Sequence, residues 1–341
     1  MQRCLELAKK GLGLVAPNPM VGAILVYENQ IIGEGFHEYF GGPHAEVNCI
    51  NSVAEENKNK ISQSTLFVSL EPCNHFGKTP PCTDMIIKHR IPNVMIGCMD
   101  SFEKVNGMGI RKLREAGVNV VVNVLEDDSK ELNKRFFVFH EKKRPYILLK
   151  WAQSADKKMN AQSAAPTKIS NVFTDRWVHQ WRGEEAAIII GKNTALKDNP
   201  RLSNRLSKGN QPIRIFIDKD LEVPGHFHLL GQSVHTLILN SKKCEKINHN
   251  EFLKIDFTTS IVGQINEILY QRGISSLIVE GGAQLLNTYI TENMWDEARV
   301  ITNTRLFLET GLDSPVLQNE IFIKRQLITT DSIDFFKNVH H

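Results

Sequence analysis

One histidine, one glutamate and two cysteines in the first quarter of the chain have the types and spacing of a zinc site. The segment "HAE" places Glu46 two residues after His44, and "EPCNHFGKTPPC" contains Cys73 and Cys82. Imidazole and thiolate are zinc ligands, and a catalytic zinc site uses three protein ligands so that water can take the fourth position. His44, Cys73 and Cys82 supply that set, which leaves Glu46 to move protons. The pattern predicts a catalytic zinc centre.

The cysteine spacing departs from the short form of this signature. Zinc deaminases of nucleosides and nucleobases combine H-x-E with P-C-x-x-C, whereas eight residues separate Cys73 from Cys82 here. Two structural alternatives stay open at this point: the three residues can be ordinary core residues, or His75 can close the metal site as a fourth ligand. The remaining cysteines have no such partners and are expected to be ordinary residues: Cys4, Cys49, Cys98 and Cys244.

A glycine pair in the second half is a weaker signal, for a dinucleotide. "IVEGGAQLLNTYI" places Gly281 and Gly282 between an apolar strand and a helix, and the free N–H groups of a helix N-terminus favour a phosphate. The run "GLGLVA" over 11–16 fits G-x-G-x-x-A but follows a helix rather than a strand, so a Rossmann domain is not indicated.

The elements that must position these residues alternate in type along the first half. Helices are predicted near 2–10, from His44, from about Thr83 and through 109–117. Strands are predicted at 21–27, 30–39, 65–70, 94–100 and 118–123. Such alternation indicates a layered α/β domain. An amphipathic helix from 127, followed by a basic turn and Pro145, predicts a domain boundary near 142–145.

The second half restarts this alternation with continuous apolar runs, which are typical of a covered, largely parallel sheet. These runs are 145–152, 186–191, 212–218, 235–240, 275–282 and 297–302. Lys150 and Glu280 lie near the carboxyl ends of two of them, where α/β sheets place ligands. The region 241–256 gives no clear prediction.

Length and composition narrow the function classes. A chain of 341 residues is long enough for two domains. The net charge of +3 and the absence of a lysine and arginine run argue against a nucleic-acid partner. No stretch reaches the roughly 18 apolar residues needed to span a membrane, and the N-terminal segment lacks a signal-peptide core. Six cysteines are too few for a disulfide scaffold. We therefore expect a cytoplasmic protein without a membrane partner.

The chain resembles the RibD family, in which a diaminohydroxyphosphoribosylaminopyrimidine deaminase is fused to a 5-amino-6-(5-phosphoribosylamino)uracil reductase. The motifs that carry the resemblance are "PNPMVGAILV", "HAEV", "EPCNHFGKTPPC", "KWAQSADKKM", "HQWRGEEAAIIIGKNTALKDNPRLSNR" and "VEGGAQLL". The resemblance implies an α/β protein with a cytidine-deaminase-like α/β/α layer domain over 1–144 and a dihydrofolate-reductase-like α/β domain over 145–341. It also implies Zn²⁺ and NADPH as cofactors, a small phosphoribosyl pyrimidine as substrate, and a homo-oligomer.

The resemblance assigns roles to individual residues. His44, Cys73 and Cys82 would hold zinc, with Glu46 as the catalytic proton donor. The deaminase substrate would be bound by Asn18, His75 and Lys78. NADPH would be contacted by Ala152, Lys168, Thr194, Asp198 and Gly282. The reductase substrate would be contacted by Lys150, Arg182, Leu202, Arg205 and Glu280.

Three places depart from the family pattern. "DSFEKVNGMG" over 100–109 replaces a proline-rich segment, Lys157 replaces a glycine, and Lys168 stands where some members have an aromatic residue. The expected activity is zinc-dependent hydrolytic deamination of 2,5-diamino-6-(5-phosphoribosylamino)pyrimidin-4(3H)-one, followed by NADPH-dependent reduction of the ribosyl chain to ribityl. The alternatives are a nucleotide or tRNA deaminase with a regulatory C-terminal domain, and a non-catalytic zinc-stabilised binding module.

Overall fold

The chain divides into two compact units, Met1–Lys143 and Arg144–His341. The computed structural model describes residues 1–74, 76, 80–101, 106–162, 167–231 and 234–340. Among the helices in these ranges, none is both long enough and apolar enough to cross a membrane.

The first unit is built on one mixed sheet, which has five strands in the described ranges. They are β1 (Gly22–Tyr27), β2 (Gln30–Phe36), β3 (Thr65–Leu70), β4 (Asn93–Cys98) and β5 (Asn119–Val121). The order is β2-β1-β3-β4-β5, antiparallel from β2 to β3 and parallel from β3 to β5. Buried aliphatic side chains from the strands and their covering helices form its main core.

The helices of this unit connect and cover the strands. They are α1 (Gln2–Ala8), α2 (Ala45–Asn51), α3 (Cys82–Lys88), α4 (Met108–Glu115), α5 (Glu126–Leu132) and α6 (Lys134–Lys142), with 3-10 turns at Lys9–Gly11 and Glu55–Gln63. The single helix predicted from 127 is interrupted at Asn133. Its amide accepts a hydrogen bond from the Met20 N–H at 2.8 Å and donates one to the Met20 carbonyl at 2.9 Å. Such side-chain bonds to a distant backbone compete with helix continuation.

The second unit contains a long sheet with a largely parallel centre, as predicted. Its strands are β6 (Tyr146–Ser154), β7 (Lys158–Ala161), β8 (Ala187–Ile190), β9 (Ile213–Ile217), β10 (Thr236–Asn240), β11 (Glu245–Ile247), β12 (Asn250–Lys254), β13 (Ser276–Glu280), β14 (Glu297–Asn303), β15 (Gly311–Asp313), β16 (Glu320–Ile328) and β17 (Asp331–Asn338). The order within the described residues is β11-β12-β10-β9-β8-β13-β6-β14-β17-β16, and β7 pairs separately with β15. The strands from β12 to β14 in this order are all parallel.

Helices cover this sheet, so that its central strands are buried on both faces. They are α7 (Val172–Glu184), α8 (Lys192–Asp198), α9 (Ile261–Gln271) and α10 (Ala283–Thr291), with a 3-10 turn at His228–Leu230. Along β6, Leu148 belongs to one core while Ile147 and Leu149 belong to the other. Because parallel strands point the same way, the carboxyl ends of β9, β8, β13 and β6 share one edge of the sheet. Ligands of α/β sheets bind at such an edge.

Two candidate active sites

Three zinc-type ligands of the first unit meet where two helices begin and a strand ends. His44 immediately precedes α2, Cys82 is the first residue of α3, and Cys73 follows β3. Their ligand atoms all lie within 4.8 Å of one another. The His44 Nδ1 is 3.5 Å from the Cys73 Sγ and 3.3 Å from the Cys82 Sγ. Tetrahedral zinc with ordinary bond lengths separates two such ligands by about 3.5 Å, so the residues present fit a zinc ion.

Close packing of α2 on β2 fixes His44 and the residues that follow it. A Cβ added to Gly35 would come within 2.2 Å of the Cys49 backbone nitrogen, and one added to Gly33 within 2.6 Å of the Cys49 carbonyl oxygen. The helix backbone therefore rests directly on the strand. The Asn48 side chain also donates to the Phe36 carbonyl at 2.8 Å.

Glu46 projects from the first turn of α2 and is only 3% exposed. Burial raises the pKa of its carboxyl to about 7. The pKa of His44 is raised to about 9, chiefly by its hydrogen bond to Cys73. The pKa of Cys73 is lowered because the Cys82 thiol and His44 stabilise its thiolate. A metal ion would take the place of the protons shared among these ligands, and a buried carboxyl near neutrality suits proton transfer.

The structure connects Asn18 to this cluster through His37, which the sequence analysis missed. The His37 ring is buried, with its centroid 5.7 Å from that of His44. Its Nδ1 is 2.9 Å from the Pro43 carbonyl, which can only accept, so Nδ1 carries the proton. Burial lowers the His37 pKa, and in the neutral ring Nε2 accepts from the Asn18 Nδ2 at 3.0 Å. Among the described residues none donates to the Asn18 Oδ1, so this acceptor and the second Nδ2 hydrogen are available to a ligand.

A buried carboxylate, also missed, holds the start of α4 against the Cys73 segment. The Glu71 carboxylate accepts backbone hydrogen bonds from Gly107 at 2.9 Å, from Gly109 at 3.0 Å and from Ile110 at 3.2 Å. A Cβ on Gly109 would meet the carbonyl oxygen of the residue before Cys73 at 2.2 Å. The only local signal for this role is the position of Glu71 in "EPC". The other two predicted deaminase substrate residues, His75 and Lys78, and part of the divergent segment, 102–105, lie outside the described residues.

In the second unit, three of the predicted residues form one buried ion cluster. Glu280 and Lys150 are paired in register on β13 and β6, with the Lys150 Nζ 3.9 Å from the carboxylate. Arg182 of α7 donates through Nε at 2.9 Å and through a second guanidinium nitrogen to the same carboxylate. Burial alone would raise the Glu280 pKa, but Arg182 and Lys150 outweigh it and lower the pKa to about 2. Glu280 is therefore an anion, held at the carboxyl edge of the sheet.

Arg205 and Leu202 belong to a loop that rests on His179, one helical turn before Arg182. The Arg205 backbone N–H donates to the His179 Nδ1 at 2.9 Å. Burial and the nearby arginine charges lower the His179 pKa to about 4, so this acceptor stays neutral. Leu202 is 3% exposed with φ 49°, and packs in the core rather than toward solvent. Any ligand contact from Leu202 would thus come from its backbone. His179 is not predictable from the sequence, because no local motif surrounds it.

A cleft of about 690 Å³ opens beside the glycine pair. Gly281 and Gly282 have φ values of 91° and 77° and precede α10, and a Cβ on Gly282 would meet the Thr194 Oγ1 at 3.2 Å. Thr194 and Asp198 line the same cleft. Burial raises the Asp198 pKa. The volume suits a cofactor, and the positive-φ turn before a helix leaves room for a phosphate. The residues present therefore fit a dinucleotide.

The remaining predicted cofactor residues lie away from the lining of this cleft. Ala152 is a half-buried residue of β6 that packs on the core. Lys168 forms an ion pair with Asp175 at 2.7 Å, while its neighbour Thr167 lines the cleft. Lys157, a departure from the expected family pattern rather than a predicted cofactor residue, has φ 61°, a left-handed conformation that favours glycine.

Family models match each unit. The model for the cytidine and deoxycytidylate deaminase zinc-binding region matches residues 1–98, and the model for the RibD C-terminal domain matches residues 145–307. Curated relatives named riboflavin biosynthesis protein RibD are similar along most of the chain. The one from Aquifex aeolicus (strain VF5) is 37% identical over 314 residues, covering 91% of this chain and 87% of its own length. The one from Actinobacillus pleuropneumoniae is 37% identical over 295 residues, covering 84% and 77%.

Solved structures are similar over both units. A diaminohydroxyphosphoribosylaminopyrimidine deaminase/5-amino-6-(5-phosphoribosylamino)uracil reductase from Thermotoga maritima matches with a TM-score of 0.90 and 35% identity, over 99% of this chain and 97% of that one. RibD from Acinetobacter baumannii matches with a TM-score of 0.87 and 27% identity, over 98% and 97%. These matches confirm the predicted fold class, a cytidine-deaminase-like domain followed by a dihydrofolate-reductase-like domain.

Proposed function

The chain belongs to the RibD family, and from that premise we propose that its two activities are divided between its two units. The protein is a bifunctional enzyme of riboflavin biosynthesis, a zinc-dependent deaminase and an NADPH-dependent reductase. We assign the deamination to residues 1–144 and the reduction to residues 145–341. Family membership favours this function over a nucleotide or tRNA deaminase and over a non-catalytic zinc module.

In the first unit, His44, Cys73 and Cys82 would hold the zinc ion. Zinc bound there lowers the pKa of water and so supplies a nucleophile near neutral pH. Glu46 takes up a proton beside the cluster and delivers it to the departing amine nitrogen of the pyrimidine. The observation that carries this proposal is the convergence of three ligand atoms within 4.8 Å next to a buried carboxyl.

We assign the substrate residues of this site from the family resemblance, and the structure supports one of them, Asn18. His37 orients the Asn18 amide, and no described residue donates to its oxygen, so Asn18 would accept a hydrogen bond from an amino group of the pyrimidine. His75 and Lys78 would contact the substrate phosphate, a role that suits cationic side chains.

In the second unit, the cleft beside Gly282 would bind NADPH, with Thr194 and Asp198 as further contacts from its lining. The family resemblance adds Ala152 and Lys168, which lie outside that lining. NADPH supplies the hydride that converts the ribosyl chain to ribityl. The other predicted residues would orient the substrate: Lys150, Arg182, Leu202, Arg205 and Glu280. The anionic Glu280 can accept hydrogen bonds from sugar hydroxyls. Arg205 is exposed, and its guanidinium can pair with the sugar phosphate.

The decisive experiment substitutes Glu46 and measures both activities in one preparation. Glu46→Gln keeps the size of the side chain but removes the exchangeable carboxyl proton, so deamination should fall roughly 10²-fold to 10⁴-fold. Zinc content and the NADPH-dependent reduction of supplied deaminated substrate should not change. Glu56→Gln, at an exposed position of the same unit, is the matched control and should leave both rates unchanged.

Two outcomes would contradict the assignment. Unchanged deamination in Glu46→Gln would mean that Glu46 transfers no proton in the reaction. Loss of the reductase activity together with the deaminase activity would show that the two activities are not divided between the units as proposed.

A homo-oligomer and a cytoplasmic location complete the proposal. The edge strand β16 exposes Ile321, Phe322 and Leu327 to solvent, and an apolar exposed edge strand is a surface suited to pairing with a second copy. Leu327→Lys should lower the mass measured by analytical ultracentrifugation if this edge joins two chains. The cysteines are free thiols, which supports a reducing compartment.

A further inference from the structure

The segment between α8 and β9, residues 199–212, contains neither helix nor strand, although Arg205 lies within it. A segment of this length without regular structure needs side-chain anchors to keep one conformation. Leu202 is one anchor, because it packs in the core and is 3% exposed. Gln211 is a second, since its amide accepts from the Asn204 N–H at 2.9 Å and donates to the Asn204 carbonyl at 2.6 Å. These contacts fix the residues before Arg205.

The last turns of α7 contact the same segment directly. A Cβ added to Gly183 would come within 2.5 Å of the Asn204 Nδ2, so the helix backbone rests against this side chain. One turn earlier, the His179 Nδ1 accepts the Arg205 N–H at 2.9 Å. Residues four apart on a helix lie on the same face. The backbone on both sides of the Asn204–Arg205 peptide is therefore held against one face of α7.

The His179 imidazole is suited to this contact. Its ring is 5% exposed, and Nδ1 accepts a hydrogen bond only when it carries no proton, so the proton of the neutral ring is on Nε2. Burial and the nearby arginine charges lower the His179 pKa to about 4, which keeps Nδ1 an acceptor near neutral pH. No described residue accepts from Nε2. Removing the imidazole would leave the Arg205 N–H without its partner.

The two arginines close to His179 differ in charge balance. Arg182 donates to the Glu280 carboxylate through two nitrogens, so its charge is neutralised within the protein. Arg205 is exposed, and its guanidinium donates to the Ser203 Oγ at 2.7 Å but forms no ion pair with any described residue. A guanidinium without a carboxylate partner is suited to a phosphate. The position of Arg205 should therefore matter for binding the substrate phosphate.

We propose that His179 is a positioning residue of the reductase, which holds the Arg205 backbone through Nδ1 so that the Arg205 guanidinium meets the substrate phosphate. This inference rests on the proposed function, in which Arg205 contacts that phosphate. His179 acts through Arg205 and contacts no reacting atom. Its contribution is therefore to binding of the phosphorylated substrate, and not to hydride transfer or to NADPH binding.

The test compares two amides that replace opposite sides of the imidazole. In His179→Asn the amide oxygen can take the position of Nδ1, whereas in His179→Gln the amide reaches the position of Nε2. The KM for the phosphorylated uracil substrate should rise about tenfold in His179→Leu and His179→Gln, as for a lost hydrogen bond. His179→Asn should restore most of this loss. The kcat and the KM for NADPH should change far less, because the lost interaction acts in substrate binding.

Two controls separate positioning from general damage to the unit. The same substrate without its phosphate should be reduced equally well by the unaltered protein and by each variant, because Arg205 then has no anion to bind. His249→Leu alters an exposed histidine between β11 and β12, and should leave the KM for the phosphorylated substrate unchanged.

An unchanged KM for the phosphorylated substrate in His179→Leu would overturn the inference. So would a loss of equal size with and without the phosphate. Restoration by His179→Gln but not by His179→Asn would also overturn it, because His179 would then act through Nε2. An unaltered protein that reduces neither form of the substrate would contradict the proposed reductase function itself, and the inference with it.

Discussion

The two candidate sites are built in different ways. The metal cluster of the first unit consists of three side-chain ligand atoms within 4.8 Å and one buried carboxyl. The cleft of the second unit is built largely from strand ends, a glycine turn and a helix N-terminus, around a volume of about 690 Å³. A site made of few atoms should fail entirely when one is removed, whereas a cleft shaped by the backbone should weaken in steps. The predictions below test that contrast.

The largest effect is expected from Cys73→Ser. A hydroxyl is a much poorer zinc ligand than a thiolate, so the zinc content should fall far below one ion per chain. Deamination should then drop by roughly 10³-fold or more, with the reductase rate unchanged. Inductively coupled plasma mass spectrometry and ammonia release measure the two losses.

The matched control is Cys98→Ser, which alters a buried thiol outside the metal cluster. It should retain zinc and deamination. A Cys73→Ser protein that deaminates at the normal rate without zinc would show that the first site does not depend on each of its ligand atoms.

A smaller but substantial effect is expected from Glu280→Gln. Removing the anion leaves Arg182 and Lys150 buried without a counter-charge, which should destabilise the second unit by about 3–5 kcal/mol. All four tryptophans lie in that unit, so tryptophan fluorescence during urea unfolding follows it alone. The exposed Glu320→Gln is the control and should unfold as the unaltered protein does. Equal unfolding midpoints for the two variants would mean that the ion cluster contributes little to folding.

Gly282→Ala tests whether the cleft depends on backbone shape. The residue has φ 77°, and an added Cβ would crowd Thr194, so NADP⁺ affinity should fall about tenfold if a phosphate occupies the turn. Its backbone, with φ 77° and ψ 100°, lies outside the left-handed helical well, so the added Cβ should cost at least about 1–2 kcal/mol of stability.

Gly273→Ala separates these two effects. Gly273 has φ 69°, and an added Cβ would meet nothing within 4 Å, so this variant carries only the cost of a positive φ, away from the cleft. Its NADP⁺ affinity should equal that of the unaltered protein. Similar affinity losses in both variants would assign the effect to general destabilisation rather than to the glycine turn.

The smallest expected effect is a gain in the stability of the second unit. Lys157 has φ 61°, at a position where the family resemblance led us to expect glycine. Lys157→Gly should therefore relieve strain and stabilise the second unit by about 0.5–1 kcal/mol after the entropy of glycine is allowed for. The midpoint of urea unfolding should rise. Lys246→Gly, in a strand, should lower it. A lower midpoint for Lys157→Gly would show that the lysine side chain contributes more than the strain it causes.

Local patterns predicted the regular parts of the fold well. The strand predicted at 65–70 is β3, with the same bounds, and the apolar run at 186–191 contains β8. A continuous apolar run can be recognised locally, and it predicts a buried strand correctly because a sheet covered on both faces requires apolar residues along the whole strand. The short strands β7 and β15 and the pair β11 and β12 escaped prediction, because they carry too few apolar residues to show a period. The break at Asn133 depends on Met20, 113 residues away.

In the candidate sites, too, some residues could be predicted from local spacing and others could not. The spacing of His44, Glu46, Cys73 and Cys82 was readable because zinc accepts few residue types. The placement of His37 beside Asn18 could not be predicted from the sequence, since these residues are 19 positions apart and meet only when β2 is folded. Nor could the sequence reveal that His179 accepts from Arg205, 26 positions away.

The sequence by itself determined the chemistry available to this protein: the candidate zinc ligands, the neighbouring carboxyl, the glycine pair and the alternation of strands and helices. Each of these features depends on residue types and short spacings, which can be read directly from the sequence. Only the tertiary structure decided which side chains face each site, including the burial of Glu280 between Arg182 and Lys150. The reason is physical, since burial and charge pairing depend on sheet order, which brings distant residues to one edge.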